Sequence, residues 1–137
     1  MTQSVTPQEA LLYVMVTISA ADASMSDAEL LRIGDVVRTL PAFRDFNNDD
    51  ILLVAQAAGK VLAGDEGLSK TLDIIADALP EKLHDTAYAM AVEIAASDLN
   101  VRQEELRFLQ MLRDRLGLDK LTIAAIERSA QARFRTL

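Results

Sequence analysis

The chain has 137 residues, which is enough for one domain with its own core, and its hydrophobic fraction of 50% is typical of a folded protein. Cysteine is absent, which excludes disulfides, thiolate metal sites and cysteine nucleophiles. The net charge of −7 at pH 7 disfavours nonspecific binding to nucleic acid, because phosphate repels an acidic surface. We therefore expect no nucleic-acid partner.

The charge is unevenly distributed along the chain. Residues 1–101 carry 6 basic and 16 acidic side chains, whereas residues 102–137 carry 8 basic and 5 acidic side chains. An acidic surface without local counter-charges favours cation binding. The simpler explanation is a solvated acidic surface that keeps the protein soluble, and for the charge alone this explanation is favoured.

Capping and breaking signals predict the first three helices. Thr6-Pro7-Gln8-Glu9 is a capping box that opens a helix ending near Ala21, and Ser26-Asp27-Ala28-Glu29 opens a second helix that Pro41 stops. The N-cap candidates Asn47 to Asp50 start a third helix, which ends near Gly64. The apolar stretch inside the first helix is shorter than the roughly 20 residues that span a bilayer, so we expect no transmembrane segment.

Four more helices follow. The fourth runs from about Leu68 to Leu79, and Pro80 separates it from a fifth that ends near Ser97. The sixth runs from Arg102 to Leu116 and ends at Gly117, and the last begins at Asp119 or Lys120. No segment alternates with a period of two, so no sheet is expected. The sequence predicts one all-α domain of about seven helices over residues 1–137.

An internal repeat lies within this domain. Residues 18–30 and 94–106 match at a constant offset of 76, with Ile, Ala, Asp, Glu and Leu recurring in step. Each copy reads as helix, short turn and helix, within units of about 8–40 and 83–116. Two such helical hairpins are expected to pack as a pseudo-symmetric pair.

The repeat places an Asp and a Glu seven residues apart in each copy, as Asp22 with Glu29 and Asp98 with Glu105. If the two turns lie side by side, these four carboxylates form a site of hard oxygen ligands that suits a divalent cation of the Ca²⁺ or Mg²⁺ type. The alternative is helix capping. Capping is the favoured interpretation for the first copy, whereas neither interpretation is favoured for the second, where Arg102 replaces the capping serine.

The repeat resembles the tellurite-resistance TerB family and the related domain of the DjlA co-chaperone, which carry an Ala-Asp-Gly turn and a helix-starting Glu twice in a seven-helix domain. Ala21-Asp22 with Glu29, and Asp98 with Glu105, look like those positions, although Ala23 and Leu99 replace the glycines. The resemblance implies a cytoplasmic stress-resistance protein with an acidic cluster for a divalent metal. It also implies contact with membrane-associated partners of the same resistance system.

No catalytic constellation can be assembled from the remaining residues, so we expect a protein that is not an enzyme and uses no organic cofactor. His84 is the only histidine and is expected to be a surface or half-buried residue. Arg113, Arg115, Arg133 and Arg135 lie near helix ends, where they complement terminal carbonyls or form a positive docking face. The alternative function is a metal-independent interaction scaffold that uses an apolar groove between helices.

Overall fold

A computed structural model describes residues 4–19, 26–97 and 103–137, apart from the side chain of Glu104. These residues form seven α-helices and no strand, which confirms the predicted all-α class. The helices are α1 (Pro7–Ser19), α2 (Asp27–Thr39), α3 (Ile51–Ala63), α4 (Gly67–Ala78), α5 (His84–Ser97), α6 (Gln103–Leu116) and α7 (Lys120–Arg133). Short 3-10 helices span Pro41–Phe43, Asn48–Asp50 and Glu81–Leu83.

The predicted caps of α1 and α7 are present. Thr6 and Glu9 exchange hydrogen bonds between side chain and backbone at 2.9 and 3.1 Å, with Pro7 as the first helical residue. The Asp119 carboxylate accepts a 2.7 Å hydrogen bond from the Thr122 amide at the start of α7. These contacts satisfy amides that a helix start would otherwise leave without an acceptor, so they fix where each helix begins.

The end of α6 also follows its sequence signal. Gly117 adopts φ +66°, in the left-handed region that favours glycine. The Leu118 amide then donates to the Arg113 carbonyl at 3.2 Å. This arrangement satisfies a terminal carbonyl of α6 and turns the chain towards α7.

The turn between α3 and α4 depends on close backbone contact. Gly67 opens α4, and a Cβ atom at this position would lie 2.1 Å from the Leu62 carbonyl oxygen. Glycine therefore allows the start of α4 to approach the end of α3. The two helices pack against each other directly after this turn.

The helix α1 lies at the centre of the fold. Every residue from Ala10 to Ser19 is buried, and α1 contacts α2, α3, α4, α5 and α6. A helix that is buried all round needs apolar residues on every face, which explains the run Ala10-Leu11-Leu12-Tyr13-Val14-Met15-Val16. Its buried Thr17 hydroxyl donates to the Tyr13 carbonyl at 2.7 Å, so this polar group is satisfied inside the core.

The helix α5 is the second buried helix, and it packs against α1, α6 and α7. The first copy of the repeat supplies α1 and α2, and the second supplies α5 and α6. The two copies therefore meet through their first helices, α1 and α5. Across the described ranges, no helix is both long and apolar enough to cross a membrane.

Candidate functional site

Glu29 lies in the first turn of α2 and forms the predicted capping box. The Ser26 amide donates to Glu29 Oε1 at 3.0 Å, and the Glu29 amide donates to Ser26 Oγ at 3.2 Å. The Ser26 hydroxyl also lies 3.0 Å from Oε1. Among the described residues, no hydrogen bond reaches Glu29 Oε2. Capping therefore occupies one carboxylate oxygen of Glu29.

Glu105 occupies the equivalent place in the second copy of the repeat. It is the third residue of α6, just as Glu29 is the third residue of α2. Unlike Glu29, which is partly exposed, Glu105 retains only 7% exposure. A carboxylate is rarely buried this deeply in a helical domain, because burial disfavours the charged form unless a partner compensates it. The two copies thus match in position and differ in burial.

The other two predicted ligands, Asp22 and Asp98, lie outside the described residues, as do the turns that carry them. Within residues 4–19, 26–97 and 103–137, no group of three or more His, Asp or Glu side chains is placed to hold a metal ion. The convergence of the four carboxylates therefore stays a prediction.

Ser19 lies at the end of α1, three residues before Asp22. Its hydroxyl oxygen is buried and, among the described residues, has no hydrogen-bond partner. Buried polar atoms without partners are rare in folded proteins. An additional oxygen donor is thus available beside the first predicted turn.

A polar network that no local sequence signal predicted joins α5, α6 and α7. The Tyr88 hydroxyl on α5 donates to Glu127 Oε2 on α7 at 2.5 Å, and Arg113 Nη1 on α6 donates to the same oxygen at 3.2 Å. Tyr88 is fully buried, and this burial, followed by the hydrogen bond to Glu127, raises the pKa of its hydroxyl to about 12. The network ties α6 and α7 together at one end of α5.

A groove of about 840 Å³ runs from this network between α5, α6 and α7. Its floor is formed by α5 and its walls by α6 and α7, and most of its lining is apolar. Besides the network itself, the lining residues are Val92, Ala95, Ala96, Leu106, Leu109, Gln110, Ala130, Gln131, Phe134 and Arg135. A groove of this size can accept a small ligand or one face of a helix.

Arg115 and Arg133 lie in the last turns of α6 and α7, as predicted, and each also forms an ion pair with another helix. Arg115 Nη1 lies 2.6 Å from Asp73 Oδ1 on α4, and Arg133 Nη2 lies 2.7 Å from Glu93 Oε1 on α5. Glu93 is thus paired with α7. His84 is half-buried as expected, and its ring nitrogens lie 3.2 and 3.3 Å from the Leu116 and Leu79 carbonyl oxygens.

The geometry defines a seven-helix domain in which two helix pairs, each starting its second helix with a glutamate in the first turn, pack through their first helices. The family described as "Tellurite resistance protein TerB" matches residues 8–130. The chain therefore belongs to the TerB family. Comparisons with curated proteins and with solved structures gave no match.

Proposed function

We propose that this protein acts in tellurite resistance or a related stress response by holding a divalent cation through Asp22, Glu29, Asp98 and Glu105. The observation that carries the proposal is the matched position of the two glutamates. Glu29 and Glu105 are 76 residues apart in sequence, and each is the third residue of the second helix of its repeat. Membership of the TerB family supports the same assignment.

The chemistry of the four residues fits Ca²⁺ or Mg²⁺. Both ions prefer carboxylate oxygens, and four carboxylates in one place repel one another unless a cation neutralises them. Capping does not exclude ligation at Glu29, because the capping box uses Oε1 and a metal can be bound by Oε2. The unsatisfied Ser19 hydroxyl supplies a further oxygen at the end of α1.

In this proposal the protein works by binding rather than by catalysis. The bound cation holds the two turns in one arrangement, and that arrangement is presented to partner proteins, including membrane-associated members of the resistance system. The protein itself acts in the cytoplasm and reaches the membrane through such a partner. Cation binding thus controls whether the partner protein binds.

A thermal melt of metal-stripped protein tests this role. We expect millimolar Ca²⁺, Mg²⁺ or a similar ion to raise the melting temperature by several degrees, because an ion that binds only the folded state stabilises it. The double variant Asp22→Asn/Asp98→Asn should lose this rise. The matched control Asp49→Asn/Asp50→Asn removes the same charge from an exposed site before α3 and should keep it. If no ion shifts the melt of the parent, the metal role is excluded.

A second candidate function is a metal-independent interaction scaffold. The groove between α5, α6 and α7 favours it, because its lining is largely apolar and Leu106 on its wall is 56% exposed. This function predicts a melting temperature that chelators and added ions leave unchanged. It also predicts that substitutions in the groove abolish partner binding without altering the fold.

A further inference from the structure

The last helix, α7, is seated shallowly on the fold. All of its residues lie in the described part of the chain, and Ala130 is the only one of them that is buried. Leu121 is 81% exposed, and Ile123 and Ile126 are half-buried. By contrast α4, which is two residues shorter, buries four residues. Because little apolar surface leaves the water when α7 packs, hydrophobic burial holds this helix only weakly.

The seam between α5 and α7 is also incompletely filled. Two clefts, of about 420 and 290 Å³, are lined by residues of α5 and α7 alone. The groove between α5, α6 and α7 borders the same helix. Val92 on α5 and Ala130 on α7 line both the smaller cleft and the groove, so they lie between these two openings. Atoms that face an opening lack the contacts that close packing supplies, which weakens the seam further.

Polar contacts hold α7 to the fold at two points. Glu127 accepts hydrogen bonds from Tyr88 and Arg113, and Arg133 pairs with Glu93 at 2.7 Å. The charged side chains at both points are between 30% and 52% exposed. Water screens ion pairs of this kind, so they position α7 without adding much stability. The hydrogen bond from the buried Tyr88 is therefore the main polar link.

The connection between α6 and α7 is suited to a hinge. Residues 117–119 separate the two helices, and Gly117 is exposed with φ +66°. An added Cβ at Gly117 would meet no atom within 4 Å, so no neighbour packs closely against this side of the backbone. The helix α5, in contrast, is held by α1 and α6 as well as by α7. Movement about residues 117–119 can therefore release α7 without releasing α5.

We propose that α7 is a strap that detaches from α5 as one unit, about residues 117–119, while α1 to α6 stay packed. A unit that few buried apolar contacts hold opens at a lower free energy than the whole domain. Detachment uncovers Tyr88 and Val92, which are buried in the closed state. The strap thus controls access to an apolar strip of α5, and it needs no metal to do so.

Hydrogen exchange of the backbone amides, followed by NMR on the full chain in chelator, tests the strap. After correction for intrinsic exchange rates, the amides from Ala124 to Arg133 should share one opening equilibrium. They should open at least about tenfold more often than the amides of α1. Low concentrations of urea should hardly change the opening of α7, because detachment exposes little surface, whereas they should increase the opening of α1 steeply.

Tyr88→Phe removes a contact that detachment breaks. The opening of α7 should therefore become about tenfold more frequent in this variant, because the hydrogen bond to a charged acceptor is lost from the closed state. Tyr13→Phe is the matched control, since Tyr13 is buried on α1 and takes no part in the network. The opening of α7 should be unchanged in Tyr13→Phe.

Ile75→Val separates detachment from global unfolding. Ile75 is fully buried on α4, which packs against α1, α3 and α6 and keeps this packing when α7 opens. The variant should increase the opening of α1 about fivefold and leave that of α7 unchanged. If both increase equally, α7 opens only when the whole domain unfolds, and the proposal is overturned.

Two further results would also overturn it. Protection of α7 equal to that of α1 would show that the helix does not detach. Protection that falls gradually towards the C-terminal end of α7 would show fraying of single turns rather than release of a unit. Because chelator is present throughout, none of these results bears on the metal role, which the thermal melt tests separately.

Discussion

The Tyr88 hydroxyl on α5 and the Glu127 carboxylate on α7 lie 2.5 Å apart and form a hydrogen bond that joins the last helix to the core. The two residues are 39 positions apart in sequence. Apart from this network and the pair between Arg133 and Glu93, α7 packs mainly against α5. The stability of the C-terminal part of the domain should therefore be sensitive to Tyr88.

Replacing Tyr88 with Phe should lower the free energy of unfolding by about 1 to 2 kcal/mol, because a buried hydrogen bond to a charged acceptor is lost while the ring is kept. Tyr13→Phe is the matched control. Tyr13 is also buried, but no hydrogen bond joins its hydroxyl to the described residues. Urea unfolding of both variants measures the difference, and equal effects at the two positions would contradict the role of the network.

The hydrogen bond between Tyr88 and Glu127 predicts that the stability of the protein falls at alkaline pH. The folded pKa of Tyr88 is about 12, above the unfolded value near 10. The unfolded state therefore loses its proton first as the pH rises. The stabilisation by Tyr88 is complete below about pH 10 and is lost between about pH 10 and 12.

This titration can be followed directly, since the chain has only two tyrosines. In Tyr13→Phe, the tyrosinate absorbance of the native protein reports Tyr88 alone. The pH at the midpoint of this titration should lie well above the midpoint pH of the same variant unfolded in urea. Equal midpoints would show that the hydroxyl is neither buried nor bonded.

Glu29→Gln separates capping from metal binding. Glutamine can complete the capping box as glutamate does, but it lacks the charge that a cation needs. The metal-free variant should melt within a degree or two of the parent, and the rise in melting temperature on adding the ion should shrink. Ser26→Ala is the counterpart, because it removes the cap and should cost about 1 kcal/mol with or without metal. If Glu29→Gln keeps the full metal effect, Glu29 is only a cap.

Substitution by alanine should change the stability of the protein in opposite directions at Gly67 and Gly59. Gly67→Ala should destabilise the protein by about 1 to 3 kcal/mol, because the added Cβ meets the Leu62 carbonyl and the α3–α4 turn must shift. At Gly59, inside α3, an added Cβ meets nothing within 4 Å, and alanine should stabilise the helix by about 0.5 to 1 kcal/mol. Thermal or urea unfolding measures both, and a destabilised Gly59→Ala would contradict the packing described for α3.

Local signals predicted the helices well because each depends on a few adjacent residues. The box of Ser26 and Glu29, the cap at Asp119 and the left-handed Gly117 all lie where the sequence indicated them. The network of Tyr88, Arg113 and Glu127 could not be predicted, since it depends on how three helices pack. An apolar groove between helices was one of the two functional hypotheses. The helices that form it could not be predicted, for the same reason.

The candidate metal site was predicted only from its repeat. The sequence identified the equivalence of Glu29 and Glu105, and the structure adds that both are third residues of their helices and that Glu105 is the more deeply buried. The burial of Glu105 could not be deduced from the pattern, because it depends on the neighbours of α6 in the fold. Whether Asp22 and Asp98 complete the site stays a prediction.

Calorimetric titration of Ca²⁺ and Mg²⁺ into metal-stripped protein tests the central claim most directly. We predict saturable binding of one of these ions in the parent, and loss of that binding in Asp22→Asn/Asp98→Asn but not in Asp49→Asn/Asp50→Asn. Absence of binding in the parent, or unchanged binding in the first variant, would contradict a metal site at the repeated carboxylates.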